Sequence, residues 1–195
     1  MADYKTLDNL AKAFIGESMA RNRYTMYAGI ARKEGYQQIA EIFLATAANE
    51  LEHAEWNMRM LNSVAQKAGT KADPGVEMEV PHVMKTTADN LAAAIMGEHY
   101  ETTKMYPEFA DIAQKEGFSD IATRLRSIGR VEAHHEERYT TLLDLVKNGT
   151  VFKKPTKVKW ICMKCGYVHE GNTPPAICPS CDHDKSYYML LSEQY

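Results

Sequence analysis

Apolar side chains recur at alternating steps of three and four in two long segments of this sequence. Tyr36, Ile39, Phe43, Thr46, Glu50, His53, Asn57, Met60 and Val64 form one series, and Phe118, Ile121, Leu125, Ile128, Glu132, His135, Tyr139, Leu142 and Val146 form the other. This spacing places each series on the face of a helix that a bundle buries. Thr46 and Asn57 are polar where the second series has Ile128 and Tyr139, so the first stripe is the less apolar. A shorter pair, Leu10, Phe14 and Glu17 against Leu91, Ile95 and Glu98, marks a helix ahead of each.

The chain is therefore an internal repeat of two helical hairpins, each broken at Lys-Glu-Gly: Lys33-Glu34-Gly35 and Lys115-Glu116-Gly117. The offset between copies is 81 residues at Glu17/Glu98 and 82 from Lys33/Lys115 onward, so one residue has entered the second copy between Glu98 and Lys115. Pro107 lies in that window, and a kink or bulge is expected there. Residues 66–90 contain Pro74-Gly75 and Pro81 and end at Thr86-Thr87, a suitable helix N-cap. A connection this long allows a ferritin-like four-helix bundle with a long crossover. The expected limits are a bundle at 1–148, a linker at 149–156 around Asn148-Gly149 and Lys154-Pro155, and a small module at 157–195.

The polar members of the stripes carry the chemistry. Glu17, Glu50, Glu98 and Glu132 face the core, with His53 and His135 three residues after two of them. Buried carboxylates in that number cannot stay ionised without cations, and two divalent metals answer the charge. Glu-x-x-His puts a carboxylate and an imidazole on one helix face, and a lone Glu from each other helix completes a di-iron or di-manganese arrangement. One such motif is weak evidence; two in register on apolar stripes are strong, and solvated surface pairs do not fit the apolar neighbours. Glu101 shares the face of Glu98, but its counterpart is Ala20. That asymmetry suggests a metal offered either His53 or Glu101, the carboxylate suiting the oxidised ion and imidazole the reduced one; the plainer reading is a supporting or solvated acid. Tyr24 and Tyr106, equivalent once the inserted residue is counted, belong near the metals as hydrogen-bond donors or as core. Tyr27, Trp56 and His134 read as packing or surface.

Cys162, Cys165, Cys178 and Cys181 are the only cysteines, forming two Cys-x-x-Cys knuckles twelve residues apart. Two knuckles close a tetrahedral S4 site, and Gly166 permits a backbone that turns amide hydrogens toward sulfur. Spacing does not separate zinc from iron. A redox-capable neighbour that needs electrons favours iron, since zinc has no redox chemistry.

The 195 residues are 45% apolar with a formal charge of −3 and no basic block, which argues against nucleic acid or an anionic membrane as partner. No apolar run approaches the roughly 18 residues of a span, and Asp3, Lys5 and Asp8 occupy the place of a secretory core, so a cytoplasmic protein is expected. In a reducing compartment four clustered cysteines are metal ligands before they are disulfides.

Glu17, Glu50-x-x-His53, Glu98-x-x-Glu101, Glu132-x-x-His135, Trp160-x-Cys162-x-x-Cys165-Gly166-Tyr167 and Cys178-Pro179-x-Cys181 together resemble the rubrerythrin family along nearly the whole chain. The resemblance implies a ferritin-like di-iron bundle, its two irons an oxo-bridged pair in one form, followed by a rubredoxin-like domain with one iron in its four-cysteine site. It implies that Glu50 and Glu132 bridge the irons, that Glu98 and His135 hold one, and that Glu17 with His53 or Glu101 holds the other. It also implies hydrogen peroxide as substrate, reduced to water. Electrons would come from rubredoxin or an NAD(P)H-dependent reductase, and the assembly would be a homodimer or larger. Rival functions are a ferroxidase storing iron and a scaffold with a zinc ribbon.

Overall fold

The computed structural model describes residues 4–71 and 73–193. The chain limits placed at 1 and 195, and Asp3, lie outside them. Helix α1 (Lys5–Lys33) pairs with α2 (Gln37–Ala68), and α3 (Thr87–Tyr100) with its continuation α4 (Tyr106–Lys115) pairs with α5 (Ser119–Lys147). The fold is a ferritin-like four-helix bundle whose third helix is interrupted.

The interruption is a π-helical turn, Glu101–Met105. The offset of 81 still holds at Ala20/Glu101 and has become 82 at Tyr24/Tyr106, so the inserted residue lies inside that turn. A π-turn absorbs one residue without rotating the rest of the helix, which returns Tyr106 to the buried face. Pro107 lies in the first turn of α4, where a missing amide is tolerated after the widened ladder.

Both Lys-Glu-Gly breaks end a helix identically. Gly35 (φ 81°) and Gly117 (φ 85°) adopt the left-handed conformation, and the amides of Tyr36 and Phe118 bond back to Ala31 O and Ala113 O. The glutamate of each break then caps the first helix of the other copy. Glu116 accepts from the amides of Lys5 (2.8 Å) and Thr6 (2.9 Å) and from the Thr6 hydroxyl, serving α1, whose own N-cap Tyr4 makes no side-chain bond. Glu34 accepts from the Thr87 amide at 3.0 Å. Thr86 caps α3 as expected, accepting from Asp89 N.

The stripes are buried along their length, with Tyr36 and Val146 half-buried at the ends. Phe14 and Ile95 depart from expectation: both are half-buried, because they turn toward the helix flanks while Leu10, Glu17, Leu91 and Glu98 face the core. The core is divided by its polar layer. An aromatic half contains Tyr24, Tyr27, Phe43 and Tyr139, and an aliphatic half contains Leu10, Met60, Val64, Met105 and Leu125. The described residues of the crossover between α2 and α3 form no regular structure, and Tyr27 ties the segment down by donating to Val83 O at 2.7 Å.

The C-terminal module is a three-stranded antiparallel sheet, β1 (Val158–Cys162) between β2 (Val168–Gly171) and β3 (Tyr188–Leu190). Its core is Trp160, Tyr188, Cys162 and Cys178. Phe152 stacks on Tyr36, and Ser186 lies against Gly35, seating the module at the α1–α2 turn.

Candidate metal centres

Four helices each deliver an acid to the middle of the bundle because Glu17, Glu50, Glu98 and Glu132 occupy the buried position of their heptad-like stripes. Each is at most 1% exposed. Two sets of potential ligand atoms lie within 4.8 Å of one another: Glu17, Glu50, His53 and Glu132, and Glu50, Glu98, Glu132 and His135. Glu50 and Glu132 belong to both.

His53 Nδ1 lies 2.8 Å from Glu132 Oε1, 2.9 Å from Glu50 Oε2 and 3.9 Å from Glu17 Oε2. His135 Nδ1 lies 2.9 Å from Glu132 Oε2, 3.2 Å from Glu50 Oε1 and 3.6 Å from Glu98 Oε2. One nitrogen facing three carboxylates cannot hydrogen-bond them all. Buried oxygens of Glu17, Glu50, Glu98 and Glu132, and His135 Nδ1, are left without a hydrogen-bond partner. Unpartnered donor atoms converging on one point are what a metal ion satisfies.

The electrostatics agree. Burial, then the charges of Glu101, Glu132 and Glu50, push the Glu17 carboxyl well above the usual range. Burial raises Glu98 to about 7. Burial works against the imidazolium of both histidines, yet facing carboxylates lift His53 to about 9 and His135 to about 11. Glu50 ends below its ordinary value because the two histidines outweigh its burial. Without a metal the acids are pushed toward their neutral forms and the imidazoles toward imidazolium, so protons stand where the positive charge of two metal ions would otherwise balance the carboxylates.

The two phenols cross between copies. Tyr24 donates to Glu98 Oε1 at 2.5 Å, and Tyr106 donates to Glu17 Oε1. Asn57, the polar exception of the first stripe, donates to the Tyr106 oxygen at 3.3 Å. Thr46, the other exception, accepts from Arg138. Glu101 is 9% exposed and stands outside both four-residue sets. Tyr27 is core, His134 is exposed, and Trp56 is a half-buried platform with the Arg124 guanidinium 3.5 Å from its ring centroid. Sequence reasoning passed over the two Lys-Glu-Gly acids, whose repetition at equivalent positions was the available signal.

In the module all four sulfurs lie within 4.8 Å of one another, Cys162 to Cys181 at 3.7 Å and Cys165 to Cys178 at 3.6 Å, with no disulfide. Gly166 has φ 78°, as expected of a knuckle glycine. Burial opposes the Cys178 thiolate, but the Tyr188 phenol and the amides of Ser180 and Cys181 bring it down to about 6. The His183 amide favours the Cys181 thiolate, yet burial and the sulfurs of Cys165, Cys178 and Cys162 push it up to about 12. Four thiolates so placed need a cation, and the set fits a tetrahedral iron or zinc.

Among the described residues no helix is long and apolar enough to cross a membrane. Residues 8–143 match the rubrerythrin family model, and residues 160–189 match that of the rubrerythrin rubredoxin-like domain. A putative rubrerythrin of Methanocaldococcus jannaschii is 56% identical, with 98% of this chain and 95% of that protein covered. Rubrerythrin-1 of Clostridium acetobutylicum is 45% identical over 98% of this chain and 96% of its own length. A solved structure of fully reduced, all-ferrous nigerythrin superposes with a TM-score of 0.63 at 31% identity, covering 98% of this chain and 89% of that one.

Proposed function

The chain belongs to the rubrerythrin family, and from that premise we propose that it is a non-haem di-iron peroxidase that reduces hydrogen peroxide to water in oxidative-stress defence. The family's proteins are iron-dependent oxidoreductases. The observation that carries the proposal is the pair of buried donor sets sharing Glu50 and Glu132. Two redox metals held side by side can deliver one electron each to an O–O bond.

In this reading Glu50 and Glu132 would be shared by two irons, Glu98 and His135 would help hold one, and Glu17 with His53 or Glu101 would help hold the other. The irons supply the two electrons. The chain's own groups supply the rest: peroxide takes two electrons and two protons to give two waters, and the phenols of Tyr24 and Tyr106 stand on ligating carboxylates, where they can pass protons inward. The bulk of the bundle keeps water from the carboxylates, which are at most 1% exposed at Glu17, Glu50, Glu98 and Glu132. His53 and Glu101, at 8% and 9%, are the least deeply buried members of the site.

Cys162, Cys165, Cys178 and Cys181 would hold a single iron, which would supply electron return from rubredoxin or an NAD(P)H-dependent reductase. The protein works in the cytoplasm as a homodimer or larger assembly, with functional units at 1–148 and 157–195. A ferroxidase storing iron is the alternative, but storage needs no electron return and leaves the cysteine site without a purpose.

Cys162→Ser separates the two halves of the proposal. Turnover with an electron donor should be lost while the chemically reduced pair still reacts with peroxide; equal loss of both would sink the division of labour.

A further inference from the structure

Two of the positions at which charge breaks the internal repeat lie on facing helices, and the fold brings them together. Glu101 stands where the first copy has Ala20, and Arg23 stands where the second copy, counted past the inserted residue, has Met105. Met105 is buried among apolar side chains, so bundle packing does not itself call for a cation at this position.

Glu101 makes no hydrogen bond or ion pair to a described residue, although it is nine-tenths buried. The Arg23 guanidinium is the cation acting on it, against burial and the charges of Glu98, Glu132 and Glu50. Arg23 is half-buried, with its Nε shielded from solvent and unpartnered. Its Nη2 lies 3.6 Å from where a β-carbon on Gly97 would stand, one helical turn before Glu101. Across the same crevice Glu101 Oε1 lies 4.0 Å from where a β-carbon on Gly16 would stand. Gly16 and Gly97 are equivalent positions of the repeat, each just ahead of a buried glutamate. Their missing side chains leave the space between α1 and α3 that these two charged groups share.

We propose that Arg23 is a positioning residue for Glu101, holding its carboxylate in the α1–α3 crevice while His53 faces Glu17, Glu50 and Glu132. The inference rests on the reading that Glu101 and His53 alternate as partners of the Glu17-side iron. A buried carboxylate that leaves one cation is costly unless another receives it. Arginine, which stays charged throughout, serves that purpose at a depth where a solvent-screened pair would not. Arg23 thereby favours the arrangement with Glu101 off the metal, which belongs to the reduced pair, and raises the pair's midpoint potential.

The test is an anaerobic potentiometric titration of the holoprotein as wild type, Arg23→Met, Arg23→Lys, Glu101→Gln and the Arg23→Met/Glu101→Gln double variant. Arg23→Met should lower the potential by at least tenfold in equilibrium constant, about 59 mV for a one-electron step. Arg23→Lys should restore most of it, and Arg23→Met should add nothing once Glu101 is Gln. A potential unmoved by Arg23→Met but shifted by Glu101→Gln overturns the role of Arg23 alone. A potential unmoved by Glu101→Gln overturns the alternation beneath it. Should Arg23→Met fail to load iron, the crystal structure of the reduced wild type decides: Glu101 hydrogen-bonded to Arg23 supports the proposal, and Glu101 still on the metal overturns it.

Discussion

Tyr24 and Glu98 belong to different copies of the repeat, 74 residues apart, yet the phenol meets the carboxylate at 2.5 Å in a fully buried pair. Tyr106 and Glu17 repeat the contact in the opposite sense. The two halves thus exchange phenols, and each potential metal position is supported by a donor from the other hairpin. Burial and nearby acids push both phenols well above their ordinary range, so they act as proton-bearing donors.

Removing either hydroxyl therefore weakens one side of the site. Tyr24→Phe and Tyr106→Phe should each slow peroxide oxidation of the reduced pair or weaken iron binding by about 10- to 100-fold, the usual effect of losing a hydrogen bond to a ligand. Rapid-mixing absorbance and competitive chelator titration report the two quantities. Wild-type values in both variants would remove the phenols from the mechanism.

Gly129 should not tolerate a methyl group. A β-carbon there would stand 3.0 Å from Tyr106 Cβ, just past the π-turn, where the neighbour is backbone-proximal and cannot swing aside. Gly129→Ala should cost about 1–3 kcal/mol by overpacking. Denaturant unfolding measures this, and an unchanged or higher midpoint would contradict the packing.

The crossed cap at Glu116 gives a pH signature. Its carboxyl lies below the ordinary value because the Thr6 hydroxyl and the amides of Thr6 and Lys5, which it accepts from, outweigh its burial. A depressed folded pKa contributes stability that is present above the unfolded value and disappears as pH falls through the folded one. Glu116→Gln should cost about 1 kcal/mol at neutral pH and lose that difference below the carboxylate range. Urea midpoints from pH 7 to pH 3 give the comparison; a gap that widens on acidification would reverse the assignment.

Metal removal should unfold the module before the bundle. Four buried side chains, two of them cysteines, form the module's core, too little to hold a fold without its ion. Strong chelation under reducing conditions should expose Trp160, which now donates to Gly171 O at 3.0 Å, and red-shift its fluorescence while helical circular dichroism is retained. A Trp160 environment indifferent to metal would show that the sheet stands alone.

The repeat made much of this legible. Glu50, His53, Glu132 and His135 lie on periodic stripes, and periodicity along a helix translates directly into a shared buried face. The change of offset located an irregularity, and the equivalence of Tyr24 with Tyr106 forecast that both phenols belong near the acids. Its form as a π-turn was not legible, because a bulge and a kink absorb one residue equally well on paper. Contacts across the fold were hidden for a different reason. Glu116 caps a helix beginning 111 residues earlier, and no local pattern encodes which exposed glutamate will meet which helix end. The meeting of Arg23 and Glu101 at one crevice is of the same kind, since it depends on how α1 and α3 face each other. Phe14 and Ile95 fit the spacing but not the depth, which is set by the flank each helix leaves uncovered.

The central claim is that the shared acids hold a redox pair that delivers two electrons to peroxide. Its most direct test is anaerobic reduction of the iron-loaded protein and then addition of one equivalent of hydrogen peroxide per bundle, with both chromophores tracked by rapid mixing. The account predicts prompt reoxidation of the paired irons with water as product, and slower return of the ferric colour at the cysteine iron as it gives up its electron to reload them. A reduced pair that stays reduced in the presence of peroxide would contradict it.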